Sequence, residues 1–184
     1  MERARNSWMW AEEGYNLFAE EGLDGIQVER LARILQLNKS GFYHYFGDLE
    51  VFCMELLGLH KKKANHYLAD VGEVKAIVPD YLEAIVKHKV PVMFHVQLIR
   101  AANPEFNRVA EIIDQQEDLI LRPVWADFIG FHDNPDLAIR YFDIVRDMFY
   151  TRMSLQNMNY PFLHDLVTEA RVLMQEIAES KAAF

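Results

Sequence analysis

Apolar residues recur along the start of this chain at the spacing of amphipathic helices. Residues 28–35 carry them at offsets 0, 3, 4 and 7, which is one face of a short helix. Asn38 follows as a good N-cap for a second short helix over residues 39–46, because its side-chain oxygen can accept free backbone N–H groups. Before both, residues 3–21 predict a longer helix that Gly22 ends, with an inward stripe of Trp8, Ala11, Tyr15, Phe18 and Ala19.

The same helical pattern continues to the end of the chain. Asp48 can cap a fourth helix, and further apolar stripes predict helices that begin near residues 80, 90, 104, 135 and 162. The helix that begins near residue 135 is expected to reach about Met158. Pro123 is expected to kink or break the long helix that begins at Pro104. No strand-like alternation is present, so the sequence predicts an all-α protein of about nine helices.

Composition narrows the class of protein. The chain has 184 residues, of which 51% are hydrophobic, enough to bury a core. It contains no apolar run of about 18 residues and no signal-peptide core, so neither a transmembrane helix nor secretion is expected. The single cysteine, Cys53, cannot form an internal disulfide. A reducing cytoplasm is therefore the expected location.

The short helix over residues 39–46 is expected to have a polar, aromatic outer face. Phe42 and Phe46 lie on its inner side by helical spacing. The residues left outside are Lys39, Ser40, Gly41, Tyr43 and His44. A helix, a short turn and a helix with such a face suit insertion into the major groove of DNA.

These residues resemble the TetR family of bacterial transcriptional regulators. The matching positions, over about residues 10–55, are Phe18, Glu21-Gly22, Val28, Leu31-Ala32, Leu37-Asn38, the segment from Phe42 to Phe46, and Glu50. The resemblance implies a three-helix DNA-binding domain over residues 1–48 and a larger helical domain over residues 49–184. It also implies base contacts from Lys39, Ser40, Gly41 and His44, and phosphate contacts from Tyr43 and Tyr45. For Tyr45, packing in the core of the small domain is an almost equal alternative.

The chain departs from the family pattern at four positions. Ile26, Gln36, Ser40 and Leu49 stand where the family usually has a Thr, a turn Gly, a Gly or Pro, and a Lys. The Thr and the Lys often contact phosphate, so two expected anchors are missing. Net charge is also unfavourable, at −9 overall, with five basic against nine acidic residues in positions 1–50. We therefore expect weak, salt-sensitive DNA binding.

The larger domain carries two further candidate sites. Its last two helices are long and amphipathic, and the resemblance implies that they pair with a second copy in a homodimer that reads a palindromic operator. Its aromatic, Met-rich middle could line an apolar cavity for a small-molecule effector, although ordinary core packing is the alternative. The candidate ligand residues are Met93, His95, Trp125, Phe128, Tyr141 and Phe149.

The resemblance predicts a ligand-responsive, sequence-specific transcriptional regulator, and the family's members are most often repressors. The effector would favour a dimer whose recognition helices are misspaced for DNA. One alternative is a TetR-fold dimeric binding or interaction module with weak or lost DNA binding. The other alternative is a small helical enzyme, which is supported only by the aromatic middle of the chain and by scattered histidines. No catalytic motif, metal-ligand spacing or cofactor loop is present in the sequence, so we expect no enzyme, no metal and no cofactor.

Overall fold

The computed structural model describes residues 2–131 and 134–182. Within those ranges the chain forms nine α-helices and no strand, which confirms the predicted all-α class. Short helical turns lie at Gly22–Gly25 and Ile77–Tyr81. The helices are α1 (Glu2–Glu21), α2 (Val28–Leu35), α3 (Lys39–Phe46), α4 (Leu49–Val71), α5 (Leu82–Lys87), α6 (Lys89–Arg100), α7 (Pro104–Ile129), α8 (Pro135–Arg152) and α9 (Tyr160–Ala182). None of these described helices is long and apolar enough to cross a membrane.

Two compact units make up the fold. The first contains Met1–His66 and Val90–Ile112, and the second contains Tyr67–Lys89 and Ile113–Phe184. Both α4 and α7 pass from one unit to the other along the chain. The predicted domain boundary after residue 48 stays a prediction. The first unit includes α4 as far as His66, but a helix can belong to a neighbouring domain while its apolar face packs against the DNA-binding helices.

The first helix buries a different stripe from the one predicted. Tyr15, Phe18 and Ala19 are buried as expected, but Trp8 is 60% exposed and Trp10 is completely buried. The ring of Trp10 packs edge-on against Phe42 at 5.4 Å. Two residues along a helix correspond to about 200° of rotation, so only one of the two tryptophans can face the core. Helical spacing alone did not identify which one.

Pro123 was expected to kink or break its helix; the break is not found, and the kink stays a prediction. The helix α7 runs from Pro104 to Ile129 with Pro123 inside it. A proline removes one backbone donor and costs one intrahelical hydrogen bond. Pro123 lies on an exposed position of α7, and the helix continues on both sides of it.

The end of α8 also differs from the prediction, because the helix stops at Arg152 and does not reach Met158. Asn157 closes it: its side-chain amide donates to the Arg152 carbonyl at 2.9 Å and its side-chain oxygen accepts from the Ser154 N–H at 2.8 Å. These bonds satisfy backbone groups that a longer helix would have used itself. The chain then turns and begins α9 at Tyr160.

A buried histidine lies in the core of the first unit. His60 on α4 is 1% exposed, and its Nδ1 is hydrogen-bonded to the Tyr15 hydroxyl at 2.9 Å. The ring of Phe94 stacks on it at 4.6 Å, and His95 lies beside it at 5.9 Å. Burial, and secondarily the neighbouring His95, lower the pKa of His60 well below its usual 6.5. His60 is therefore neutral in the folded protein near pH 7.

This histidine should make the protein less stable in mild acid. Below pH 6.5 the unfolded chain protonates this side chain, whereas the folded protein keeps its pKa lower, so protons favour unfolding. The contribution is complete above pH 6.5 and is lost as the pH falls toward the folded-state pKa. Urea unfolding should show a loss of about 1 kcal/mol between about pH 7.5 and 5.5 that His60→Gln lacks. Identical pH dependence in both proteins would contradict this assignment.

Candidate nucleic-acid interface

The turn between α2 and α3 is closed by backbone and side-chain hydrogen bonds. Gln36, which stands where the resembling family usually has a turn Gly, adopts the left-handed conformation with φ of 55°, although it lacks the freedom of glycine. The N–H of Leu37 donates to the Ala32 carbonyl at 3.0 Å. The side chain of Asn38 then accepts from the Ser40 N–H at 3.0 Å, which confirms it as the N-cap of α3. Together these bonds fix where α3 begins.

An aromatic core holds α3 by its inner face. Phe42 is completely buried, and its ring lies 5.4 Å from Trp10, 5.1 Å from Phe46 and 5.0 Å from Phe52. Edge-on and tilted ring contacts of this kind stabilise beyond simple area burial. Gly14 allows the approach of α4, since a Cβ there would lie 2.4 Å from the Phe52 ring. The outer face of α3 is thus presented from a rigid support.

All six candidate DNA-binding residues lie on α3 and the structure brings them to one short helix. Lys39, Ser40 and His44 are exposed, and Tyr43 is 52% exposed. Gly41 and Tyr45 are half-buried. The ring of Tyr45 contacts Phe46 at 6.2 Å and His44 at 5.5 Å, so it is neither fully in the core nor fully outside it. The DNA contacts of these residues stay a prediction.

Two of the departures from the family pattern now have a structural description. Ile26 is buried and contributes to the core. It precedes Gln27, which is the N-cap of α2 but makes no side-chain cap bond. Leu49, by contrast, is an exposed apolar residue at the start of α4. Neither side chain can donate a hydrogen bond to a phosphate.

Two of the basic side chains in this region form ion pairs with carboxylates. Both terminal nitrogens of Arg30 on α2 donate to the carboxylate of Glu21. Lys39 donates to Glu29 at 3.0 Å, and this contact lowers the pKa of Glu29 and raises the pKa of Lys39, so both are charged at neutral pH. Arg33 is exposed at the end of α2. Two of the acidic residues in positions 1–50, Glu21 and Glu29, therefore neutralise basic side chains close to the predicted DNA-binding face.

The candidate ligand residues divide between the two units. Met93 and His95 are buried on α6 in the first unit. In the second unit, Trp125 is buried and donates to the Ala138 carbonyl at 3.1 Å. Phe128 lies under the Arg171 guanidinium at 4.9 Å. The remaining pairs are Tyr141 with Phe131 at 5.6 Å and Phe149 with Tyr150 at 6.0 Å. These contacts are compatible both with ordinary core packing and with a ligand site, so a ligand role stays a prediction.

A polar cluster lies buried in the second unit and was not predicted from the sequence. The hydroxyls of Tyr67 and Tyr81 both donate to the carboxylate of Glu117 on α7, the latter at 3.0 Å. Tyr150 donates to Asp114 at 2.6 Å. Burial and the nearby carboxylate Glu117 raise the pKa of Tyr67 and of Tyr81 well above the usual value, so both stay protonated donors. A sequence signal was available, because Glu117 lies four residues after Ile113 and four before Leu121, and this spacing puts it on the buried face of α7.

A closely packed apolar cluster lies within the first unit, with no room among its side chains for a water molecule. It is formed by residues of α1, α4, α6 and α7, namely Phe18, Cys53, Leu56, Leu57, Phe94, Leu98 and Phe106. Burial, with a smaller contribution from Glu50, raises the pKa of the Cys53 thiol to about 11. The thiol is therefore protonated and poorly reactive near pH 7. Among the described residues, no three His, Cys, Asp or Glu side chains are grouped as metal ligands.

Comparison with known proteins agrees with this geometry. Residues 12–50, which cover most of α1, all of α2 and α3 and the start of α4, match the family model described as bacterial regulatory proteins, tetR family. The search of curated proteins gave no match. The resemblance noted from the sequence is therefore confirmed over the helix-turn-helix segment.

Proposed function

Because residues 12–50 make this chain a member of the tetR family of bacterial regulatory proteins, we propose that it is a sequence-specific transcriptional regulator that reads DNA with α3. The observation that carries this proposal is the outer face of α3. Lys39, Ser40, Tyr43 and His44 are exposed there on a helix whose opposite face is locked by Phe42. Lysine and serine can donate to base edges, and a tyrosine hydroxyl can reach a phosphate oxygen.

The active form is proposed to be a homodimer that pairs through α8 and α9. Four large apolar side chains are exposed on these two helices: Ile144, Val172, Leu173 and Ile177. Leu173 and Ile177 are one helical turn apart and so lie on the same face of α9. A second copy of the chain would cover this face. Twofold symmetry then implies a palindromic operator with half-sites about one helical turn of DNA apart.

The dimer is further proposed to respond to a small-molecule effector and to act as a repressor in the cytoplasm. The effector would bind better to the dimer whose α3 helices are misspaced for adjacent major grooves, and would so release DNA. Candidate contacts in the first unit are Met93 and His95, of which His95 would orient a polar group of the ligand. Candidate contacts in the second unit are Trp125, Phe128, Tyr141 and Phe149. No catalytic role is proposed for any of them.

A second candidate function is a dimeric binding or interaction module of this fold that has lost DNA binding. The ion pairs of Arg30 with Glu21 and of Lys39 with Glu29 favour this second function, since both basic side chains already have a carboxylate partner in place of a DNA phosphate. The burial of Ile26 favours it as well, because a phosphate anchor of the family pattern is absent there.

Selection from a pool of random DNA duplexes distinguishes the two functions. The full chain is incubated with the pool at low salt and at physiological salt, and the bound duplexes are sequenced. The regulator should enrich a palindrome, with bound yield falling steeply as salt rises because phosphate contacts release counterions. Absence of any enriched sequence even at low salt would reject direct sequence-specific binding and favour the second candidate.

A further inference from the structure

The ion pair between Glu29 and Lys39 joins the two helices of the helix-turn-helix segment on their exposed side. Glu29 lies in the first turn of α2, and Lys39 is the first residue of α3. Their charged atoms are 3.0 Å apart, and the side chains are 69% and 52% exposed, respectively. Because these atoms are so close, a Lys39 ammonium group at the base edges would bring the Glu29 carboxylate within reach of the same base pair. An acceptor and a donor are thus held side by side at this point of the candidate interface.

This arrangement is complementary to a guanine–cytosine pair. In the major groove, guanine O6 is an acceptor, and the cytosine N4 amino group next to it is a donor. These two groups are hydrogen-bonded to each other across the base pair and so lie about 2.9 Å apart. That separation matches the 3.0 Å between Lys39 Nζ and the Glu29 carboxylate oxygen. One ion pair can therefore meet one base pair without rearrangement.

We infer that Glu29 is a specificity-determining residue which, together with Lys39, reads one guanine–cytosine pair in each half-site. Lys39 donates to guanine O6 and N7, and Glu29 accepts from the cytosine N4 amino group. An adenine–thymine pair also presents a donor beside an acceptor, but its thymine O4 is flanked by a methyl group. Lys39 then loses its second acceptor, so guanine is preferred. This inference rests on the proposed DNA-binding function.

A purely structural role for the ion pair would have a different signature. Exposed ion pairs contribute little to stability, and a carboxylate beside the DNA repels phosphates whatever the base sequence. Glu29 should therefore lower the affinity for all DNA while raising the preference for one base pair. Without it, Lys39 is free to pair with a phosphate, which carries no sequence information.

The variant Glu29→Leu tests the inference on the operator that the wild-type chain selects, because leucine has no acceptor for the cytosine amino group. Replacing the critical guanine–cytosine pair by adenine–thymine should weaken wild-type binding about tenfold, but Glu29→Leu binding only about twofold. The variant should also bind unrelated duplexes more tightly, with a steeper dependence of affinity on salt, because Lys39 gains a phosphate. Lys39→Ala should lose the same base preference without that gain.

A matched control is Glu21→Leu, which makes the same substitution in the same region and releases Arg30 from its ion pair. It should leave every base preference unchanged, and thermal melting should show that both variants fold. A Glu29→Leu protein that keeps all base preferences of the wild type would overturn the inference alone. A wild-type chain that selects no sequence would overturn the proposed function, and the inference with it.

Discussion

Replacing Phe42 by alanine is expected to destabilise the protein by about 3–5 kcal/mol, the range for a buried phenylalanine. The side chain is completely buried and contacts the rings of Trp10, Phe46 and Phe52, so its removal leaves a cavity between helices that rigid neighbours cannot fill. Domains of this size are commonly stable by about 5–15 kcal/mol. Urea unfolding followed by circular dichroism measures this loss of free energy. The substitution should also loosen the packing that holds α3 in place.

The neighbouring residue provides the matched control. Tyr43 is 52% exposed on the same helix, so Tyr43→Ala should cost less than about 1 kcal/mol of stability. It should nevertheless weaken operator binding, because its hydroxyl is proposed to contact a phosphate. Phe42→Ala therefore acts through folding and Tyr43→Ala through binding. Equal losses of stability in the two variants would contradict the placement of Phe42 as the anchor of α3.

Replacing both Leu173 and Ile177 by glutamate is expected to make the protein monomeric. The two exposed side chains lie on one face of α9, and two carboxylates there would have to be desolvated against the second copy. Loss of the dimer removes the gain from binding two half-sites at once, so operator affinity should fall by about 100-fold or more. Sedimentation equilibrium measures the mass, and anisotropy measures the affinity.

The control for this pair is Gln175→Glu, which adds a negative charge to the same helix at an exposed position. Residue 175 lies about 200° around the helix from residue 173, so this variant should remain dimeric and bind the operator normally. A Leu173→Glu, Ile177→Glu protein that is still dimeric would show that the copies do not pair through this face.

Local chemistry made the helix-turn-helix segment predictable from the sequence. The N-caps Asn38 and Asp48 act on backbone groups within three residues, and both bonds are present in the structure. The left-handed turn at Gln36 agrees with the resemblance, which has a turn glycine at this position. Such features depend on near neighbours, and the sequence order gives those neighbours directly.

Features that depend on distant neighbours were not predictable in the same way. The choice between Trp8 and Trp10 is decided by Phe42, more than thirty residues away along the chain. The tyrosines that donate to Glu117 are Tyr67 and Tyr81, which lie far from it in the sequence. The pairing of Glu29 with Lys39 joins two different helices. A periodic pattern assigns faces to helices, but it does not say which residues meet.

The most direct test of the account is fluorescence anisotropy of the wild-type chain on its selected palindrome and on a scrambled duplex, from low to physiological salt. Tighter binding to the palindrome is expected at every salt concentration, with both affinities falling as salt rises. Tyr43→Ala and Lys39→Ala should each weaken binding to the palindrome. Equal affinity of the wild-type chain for both duplexes, or a preference unaffected by these substitutions, would contradict the claim that α3 reads DNA.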